Sequence, residues 1–337
     1  VDLSTSYLGL SLPHPLMPGA SPLALDLDTV KRLEDAGAAA IVMPSLFEEQ
    51  ITRADLGLVH GMLVDDSTSA EALSQFPEPD DFALTPDQYL EHVRRLKETV
   101  SVPVIGSLNG TTDEGWLSYA RQIQDAGADA LELNFYLVAT DPRESGAYLE
   151  HQLLDLVRRL KRTVTIPIAV KLSPFFSSLP HLAAELDAAR ADGLVLFNRF
   201  FQPDIDPEMK LAVPRLRLSS PDELLLRVRW LAILYGQVEA SLAATGGVHS
   251  GIDVLKAVMA GAQAVQMVSA LLTHGPAHLA HMRRELARWL EQNDFDTLRQ
   301  AQGCLSLLRN ADPASFERGN YLRILQTWHL PPAQRQS

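Results

Sequence analysis

Lys171 closes the run IPIAVKLSP, and an ammonium at the end of an otherwise apolar segment asks for a chemical explanation. An unpaired charge in a buried strand is expensive, so Lys171 is expected to face a ligand or a carboxylate. Two chemistries suit it: stabilising negative charge on a redox-active ring, or forming a Schiff base with a carbonyl substrate. A lysine that merely reaches past a rim to solvent is the plain alternative. Asn109 (GSLNG), Asn134 (LELNF) and Asn198 (VLFNR) end three further apolar runs. Amides donate and accept without titrating, which suits a polar heteroaromatic ligand, although any one of them also serves as a turn former. The segment ATGGVHSGIDVLKAVMAGAQAVQMVSALL (243–272) places Gly246 and Gly247 between an apolar run and a helix, with Ser269 just after the next run. Glycines there let backbone N–H groups approach a phosphate at a helix N-terminus, so an acidic chain can hold one without a basic patch. A tight strand-to-helix turn with no ligand has the same sequence.

Weaker signals point elsewhere. His274, His278 and His281 fall at helical spacing but lack matching carboxylates, so they are expected on an outer helix with no metal. Cys304, in QGCLSLLRN, reads as a packed thiol rather than a nucleophile. No GxGxxG follows a strand and no Walker loop is present, which excludes a Rossmann-type nicotinamide site.

The elements that must position these residues follow a repeated grammar. EDAGAAAIVM (34–43), QDAGADALEL (124–133), DAARADGLVL (187–196) and VMAGAQAVQM (258–267) each end a helical stretch, turn, and enter a short apolar run. Gly37, Gly127 and Gly261 suit the left-handed residue that closes a helix. LKETVSVPVIGSL (96–108) and LKRTVTIPIAVKL (160–172) resemble each other closely, each a basic helix end leading to a strand opened by proline. Capping boxes are expected at 85–88, 111–114 and 220–223. Strands are expected near 15–19, 39–43, 102–107, 130–134, 167–172, 194–198, 241–245 and 264–268, with helices between nearly all of them. Eight buried strands alternating with helices predict an α/β fold, a (β/α)8 TIM barrel in a single domain over 1–337. A doubly wound open sheet is the second choice. Insertions at about 48–85 and 199–219 leave the C-terminal ends of strands, where barrels build their sites, and the tail 331–337 is expected to be flexible.

Composition bounds the rest. The 337 residues carry a net charge of −13, so the chain repels polyanions and is no general nucleic-acid binder. With 46% hydrophobic and 21% charged residues it has ordinary globular composition. A single cysteine rules out intrachain disulfides and a cysteine-ligated iron–sulfur cluster held by this chain alone. No apolar run reaches membrane-spanning length, and the opening VDLSTSYLGL lacks the regions of a signal peptide, so a cytoplasmic protein without membrane association is expected.

Together these features resemble the class 1 dihydroorotate dehydrogenases and the dihydropyrimidine dehydrogenase barrels, which bind FMN. The resemblance runs from an N-terminal hairpin, LSTSYLGLSLPHPLMPGAS, through GGVHSGIDVLKAVMAGAQAVQMVSALLTHGP. It implies that Gly246, Gly247 and Ser269 hold the FMN phosphate and that Lys171 lies at the flavin N1/O2 edge. It also places Ala20 and Ser21 beside the ring, with Asn134 and Asn198 around flavin and substrate; Asn109, from its place at a strand end, is expected to join the cofactor-binding set.

Departures mark this chain as divergent. Where the family carries a cysteine or serine base after its strand-four asparagine, this chain reads Asn134-Phe135-Tyr136-Leu137-Val138-Ala139, with Leu137 at the base position. Pro44 replaces a family lysine, Val268 a glycine, and Arg199 a common serine. The expected activity is an FMN-dependent dehydrogenase acting on the CH–CH group of a dihydropyrimidine or similar small molecule, by hydride transfer to flavin N5. Lys171, Tyr136 and Asn134 are the candidate catalytic residues, Tyr136 being the nearest titratable substitute for the base, with Thr140 and Asp141 further along. Asn198 and Arg199 are expected to bind substrate, Arg199 through a carboxylate. A homodimer is expected, and a redox partner protein could take the electrons. Two other readings stand beside this one: a non-catalytic or partner-dependent flavoprotein, and a flavin-free lyase or aldolase using Lys171.

Overall fold

Each apolar run ends up as a strand because its outward side chains are covered by helices and its inward ones by other strands. The computed structural model describes residues 1–47, 50, 84–109, 116–199, 202–213, 217–313, 316–317 and 319–327. An antiparallel hairpin, β1 (Thr5–Tyr7) and β2 (Leu10–Leu12), precedes the main sheet. The sheet's strands are β3 (Leu16–Pro18), β4 (Ile41–Val42), β5 (Leu46–Phe47), β6 (Val104–Asn109), β7 (Ala130–Asn134), β8 (Ile168–Leu172) and β9 (Gly193–Leu196). A second antiparallel pair, β10 (Asp204–Asp206) and β11 (Leu211–Val213), follows before β12 (Ser241–Thr245) and β13 (Ala264–Met267) return to the main sheet. Parallel pairing runs β3-β13-β12-β9-β8-β7-β6-β4, with β5 extending the β4 edge along β6. Between β3 and β4 the Ala39 N–H donates to the Leu16 carbonyl at 3.0 Å, bringing the two ends together. The architecture is the expected (β/α)8 TIM barrel.

The helices between the strands are α1 (Leu27–Asp35), α2 (Pro86–Thr99), α3 (Trp116–Asp125), α4 (Gly146–Thr163), α5 (Leu179–Ala188), α6 (Leu224–Leu234) and α7 (Gly251–Ala260). After β13 come α8 (Ser269–His274), α9 (His278–Gln292), α10 (Leu298–Ala301) and α11 (Gly319–Thr327). Thr85 and Ser220 form the expected capping boxes with Gln88 and Glu223, and Ser250 forms one with Asp253. The box expected at 111–114 lies outside the described residues, as do most of the 48–85 insertion and the tail 331–337. Within the other insertion, 199–219, the described residues carry the β10–β11 hairpin.

The sequence repeat at 96–108 and 160–172 has a structural counterpart. Lys97 Nζ lies 2.6 Å from Asp129 Oδ2, which also accepts the Val104 N–H at 2.7 Å. One unit later, Lys161 Nζ lies 2.6 Å from Asp192 Oδ2, which accepts the Ile168 N–H at 2.7 Å. In both units one carboxylate ties the basic end of a helix to the first residue of a strand. That fixes where β6 and β8 begin, and hence which of their residues reach the top of the barrel.

Inside the barrel the side chains sit in layers, as the two-residue period of a strand requires. Met17, Val42, Ile105, Ala130, Ala169, Val195, Ala243 and Ala264 form the lower layer, in one buried cluster with Tyr7, Leu8 and Leu12 of the hairpin. The hairpin therefore plugs the bottom of the barrel. Gly193 permits this approach, since a Cβ there would lie 2.5 Å from the Leu8 side chain. Leu131, Leu133, Val170 and Leu172 alternate outward into the larger core shared with the helices. Two residues above the lower layer the interior turns polar: Ser107, Glu132, Lys171, Thr245 and Gln266 are all buried.

Candidate active site

The polar layer is an ion pair with a third member. Lys171 Nζ lies 3.1 Å from Glu132 Oε1, and Gln266 Nε2 donates to Glu132 Oε2 at 2.6 Å. β7 supplies the carboxylate, β8 the ammonium, and β13 spans the barrel with the amide. The Glu132 side chain is 1% exposed and that of Lys171 8%, so the pair is shielded from below and opens only upward. Lys171 thus faces both a carboxylate and a cavity, and a solvent-directed lysine is excluded. The same buried carboxylate raises the nearby phenols: burial first, and the Glu132 charge after it, push the Tyr7 hydroxyl well above its ordinary range. Tyr89 is also raised, by burial above all. Its hydroxyl donates to the Ser107 carbonyl and accepts from the Ser107 N–H, locking β6 to α2.

Above this layer lies a cavity of about 600 Å³, within the range of small-molecule and cofactor sites. Its wall brings together Ala20, Ser21, Asn109, Asn134, Tyr136, Lys171, Asn198 and Arg199, contributed by the ends of five different strands. The Asn198 side-chain N–H donates to Asn134 Oδ1 at 2.7 Å, so these two amides are oriented as a unit. Arg199 is held at 3.8 Å from Glu223, itself fixed by the Ser220 capping box. Tyr136 points into this cavity, whereas Leu137, its neighbour, lines a separate one. Asp141 is not on this wall, and Arg143 donates to both of its oxygens and holds its carboxyl below the usual range.

Gly246, Gly247 and Ser269 are not part of that wall. Gly246 lies against Arg227, while Gly247 and Ser269 meet on a residue that the sequence did not point to. Ser219, from the loop before α6, donates its N–H to Ser269 Oγ at 2.9 Å, and the two hydroxyls are also 2.9 Å apart. The Gly247 N–H donates to Ser219 Oγ at 3.2 Å. Both glycines have positive φ, +89° and +79°. A Cβ on Gly247 would lie 2.4 Å from the Leu224 backbone nitrogen, so glycine is required there whatever is bound. Gly19, just before Ala20 and Ser21, lies against the side chains of Gln266 and Val268, the latter next to Ser269 in the chain.

Three buried polar atoms in and under the barrel mouth have no hydrogen-bond partner among the described residues: the hydroxyl of Ser21, on the cavity wall, and, below it, the side-chain oxygen of Gln266 and the hydroxyl of Tyr7. Buried polar groups in native proteins are nearly always satisfied, so the Ser21 hydroxyl is a natural contact for a ligand. Glu132 and Gln266 were missed by sequence reasoning, although the argument applied to Lys171 covers them: each is a polar residue inside an apolar strand. Ser45, whose hydroxyl pairs with Ser107 at 2.8 Å on the same wall, carried no sequence signal beyond its closeness to β4. The weaker candidates lie away from the cavity wall. His274 and His281 are exposed and His278 half-buried, its Nε2 2.9 Å from the His249 carbonyl oxygen. Cys304 is half-buried, with its thiol raised by burial.

Residues 85–290 match the family model for dihydroorotate dehydrogenase. This chain belongs to the dihydroorotate dehydrogenase family. The match covers α2 through most of α9, and so includes every strand from β6 to β13. Among similar proteins, the catalytic subunit of a dihydroorotate dehydrogenase B (NAD(+)) from Thermoplasma acidophilum is 29% identical over 312 residues, covering 90% of this chain and 98% of that protein. The corresponding subunit of Methanocaldococcus jannaschii is 24% identical, over 89% and 97% of the two chains. The NAD-dependent dihydropyrimidine dehydrogenase subunit PreA of Escherichia coli K12 is 23% identical over 90% of this chain and 76% of its own length. As a member of the dihydroorotate dehydrogenase family the chain belongs among oxidoreductases, and its barrel mouth is where the family's chemistry must be sought. Among the described residues no helix is long and apolar enough to cross a membrane, and no group of three metal-ligating side chains occurs.

Proposed function

We propose that this protein is an FMN-dependent oxidoreductase that dehydrogenates the CH–CH bond of a small, carboxylate-bearing dihydropyrimidine or a close analogue. The observation that carries the reading is the buried Glu132–Lys171 pair opening into a 600 Å³ cavity whose upper wall is set by three asparagines. The residues present fit the cofactor: Ser21 holds an unpartnered buried hydroxyl on the cavity wall, and the Ser219–Ser269–Gly247 cluster, whose hydroxyls and N–H bond one another, would exchange those bonds for a phosphate. When bound, FMN supplies a two-electron acceptor for the substrate's CH–CH group.

The chain's own residues divide the remaining work. Lys171 places a fixed positive charge at the cavity floor, and Glu132 and Gln266 hold it there, so no side chain must reorganise as charge develops above it. The joined amides of Asn134 and Asn198 orient a polar ring by donating and accepting at fixed positions. Arg199 meets the substrate carboxylate with its planar fork. Tyr136 is the titratable side chain on the wall above Lys171, and as its phenolate, formed by loss of the hydroxyl proton to solvent, it takes the proton that the adjacent carbon loses. Leu137 lines the neighbouring cavity, so the proton acceptor is sought at position 136 and not at 137.

The lyase reading is disfavoured by one contact. Schiff-base chemistry at Lys171 would first have to break its ion pair with Glu132 inside the barrel. Likeness to catalytic subunits of larger enzymes supports a protein partner as electron acceptor. The test is anaerobic mixing of FMN-loaded protein with dihydropyrimidines, with and without a ring carboxylate. Loss of visible flavin absorbance, faster with the carboxylate, is expected. Stable absorbance with every dihydropyrimidine tried would refute the dehydrogenase assignment and leave a non-catalytic flavoprotein.

A further inference from the structure

Arg227, in the first turn of α6, is buried although a guanidinium keeps its charge inside a protein. Its Nε donates to the Thr245 carbonyl at 3.0 Å, and its Nη1 donates to the Glu223 carbonyl at 2.8 Å. The Thr245 carbonyl belongs to the peptide unit entering Gly246, and the next unit carries the Gly247 N–H that donates to Ser219 Oγ. The Glu223 carbonyl belongs to the unit whose nitrogen, on Leu224, a Cβ at Gly247 would meet at 2.4 Å. One guanidinium therefore joins the end of β12 to the turn that opens α6, with the Gly246-Gly247 loop between them. Gly246 is what lets it lie so close: a Cβ there would be 3.0 Å from Nη2 and 3.4 Å from Cζ. Followed along standard bond lengths, that contact puts Nη2 within about 7 Å of the Gly247 nitrogen.

We propose that Arg227 is a positioning residue for a phosphate monoester at the Ser219–Gly247–Ser269 cluster, holding the loop in shape and placing a fixed positive charge behind it. The proposal rests on the flavin reading of the first cavity, of which this phosphate would be the tail. The cluster's own groups are neutral, two hydroxyls and an N–H. They can bond a phosphate but cannot balance its charge, about −2 near neutral pH. In a chain of net charge −13, a buried cation beside the loop supplies that balance where solvent salt screens it least. Burial pushes the Arg227 pKa down, Glu223 pushes it up and Arg199 down again, and the guanidinium remains protonated throughout. Arg227 is not on the wall of the first cavity, so its effect should fall on the phosphate end and not on a ring bound there.

The test compares FMN with riboflavin, which has the same ring and no phosphate. Each is titrated into the whole chain, stripped of small molecules, and binding is read by quenching of flavin fluorescence. Arg227→Gln keeps a donor and removes the charge; Arg227→Lys keeps the charge and loses the fork. Circular dichroism and the melting temperature check the fold of both. Wild type should prefer FMN. Arg227→Gln should weaken FMN roughly tenfold or more and leave riboflavin within about threefold, whereas Arg227→Lys should keep most of the preference. If neither variant folds, Glu223→Gln removes the carboxylate that opposes the Arg227 charge, and should raise the preference for FMN about threefold. Absence of binding by either flavin would overturn this proposal and the flavin reading together. Equal binding of the two flavins by wild type, a preference that Arg227→Gln leaves intact, or equal losses in the Gln and Lys variants would overturn this proposal alone. So would an unchanged preference in Glu223→Gln.

Discussion

Removing one member of the Glu132–Lys171 pair should harm the fold more than removing both, and the two single losses should differ. The partners are 3.1 Å apart at the centre of the barrel. Breaking such a pair costs about 3–5 kcal/mol when the remaining charge has no escape, whereas replacing both partners with apolar residues of similar volume is often close to neutral. Lys171→Met leaves Glu132, 1% exposed, with only the Gln266 amide, and should lose stability near the top of that range. Glu132→Leu leaves an ammonium on a flexible stem at a cavity floor, where water can reach it, and should cost about 1–3 kcal/mol. The double variant Glu132→Leu/Lys171→Met should be close to neutral, costing less than either single change and far less than their sum. Urea unfolding followed by circular dichroism at neutral pH gives all four corners of the cycle. Additive effects, or a larger loss in Glu132→Leu than in Lys171→Met, would refute the view that Lys171 is pinned from below and open only upward.

Other positions give equally definite expectations. Gly247→Ala should destabilise by more than about 1 kcal/mol and weaken FMN retention, because its Cβ meets backbone at 2.4 Å; Gly246→Ala, whose Cβ meets the buried Arg227 guanidinium at the longer distance of 3.0 Å, should be milder in thermal melts. Arg199→Ala should raise KM for carboxylate-bearing substrates about 10–100-fold, the loss of a charge-assisted hydrogen bond, with little change for analogues lacking the carboxylate. Burial, reinforced by Arg283, holds the pKa of His14 down at about 4. Its unfolded value is near 6.5, so as pH falls through that window the unfolded chain gains a proton that the folded chain refuses, and about 3 kcal/mol of stability is lost before the effect levels off below pH ~4. His14→Asn, which keeps an acceptor for the Leu16 N–H, should flatten that part of a melting-temperature profile; an unchanged profile would show that His14 is not the responsible group.

The barrel was legible because its signals are local. Gly37, Gly127 and Gly261 do take positive φ, and all eight expected strand positions hold strands. The repeat LKETVSVP and LKRTVTIP was visible as a likeness of letters, and its physical content, one aspartate joining a lysine to a strand N–H, needed coordinates. Lys171 was legible because a charge in an apolar strand is anomalous, yet Glu132 and Gln266 satisfy the same criterion and only their convergence shows that the three act together. Ser219 was out of reach, since its role comes from a loop folding back from residue 219 onto Ser269. Position 137 shows the limit of reading by register: family spacing puts Leu137 at the base position, but the loop turns that side chain into the second cavity and Tyr136 into the first.

The most direct test of the account is whether the first cavity takes FMN through the residues named here. Protein stripped of small molecules should quench FMN fluorescence on titration, saturating at one flavin per chain. Ser21→Trp should abolish this and Lys171→Met weaken it, while riboflavin, without the phosphate, should bind less tightly than FMN. A chain that releases no flavin on denaturation, and shows no saturable quenching with FMN while folded, would contradict the account at its centre.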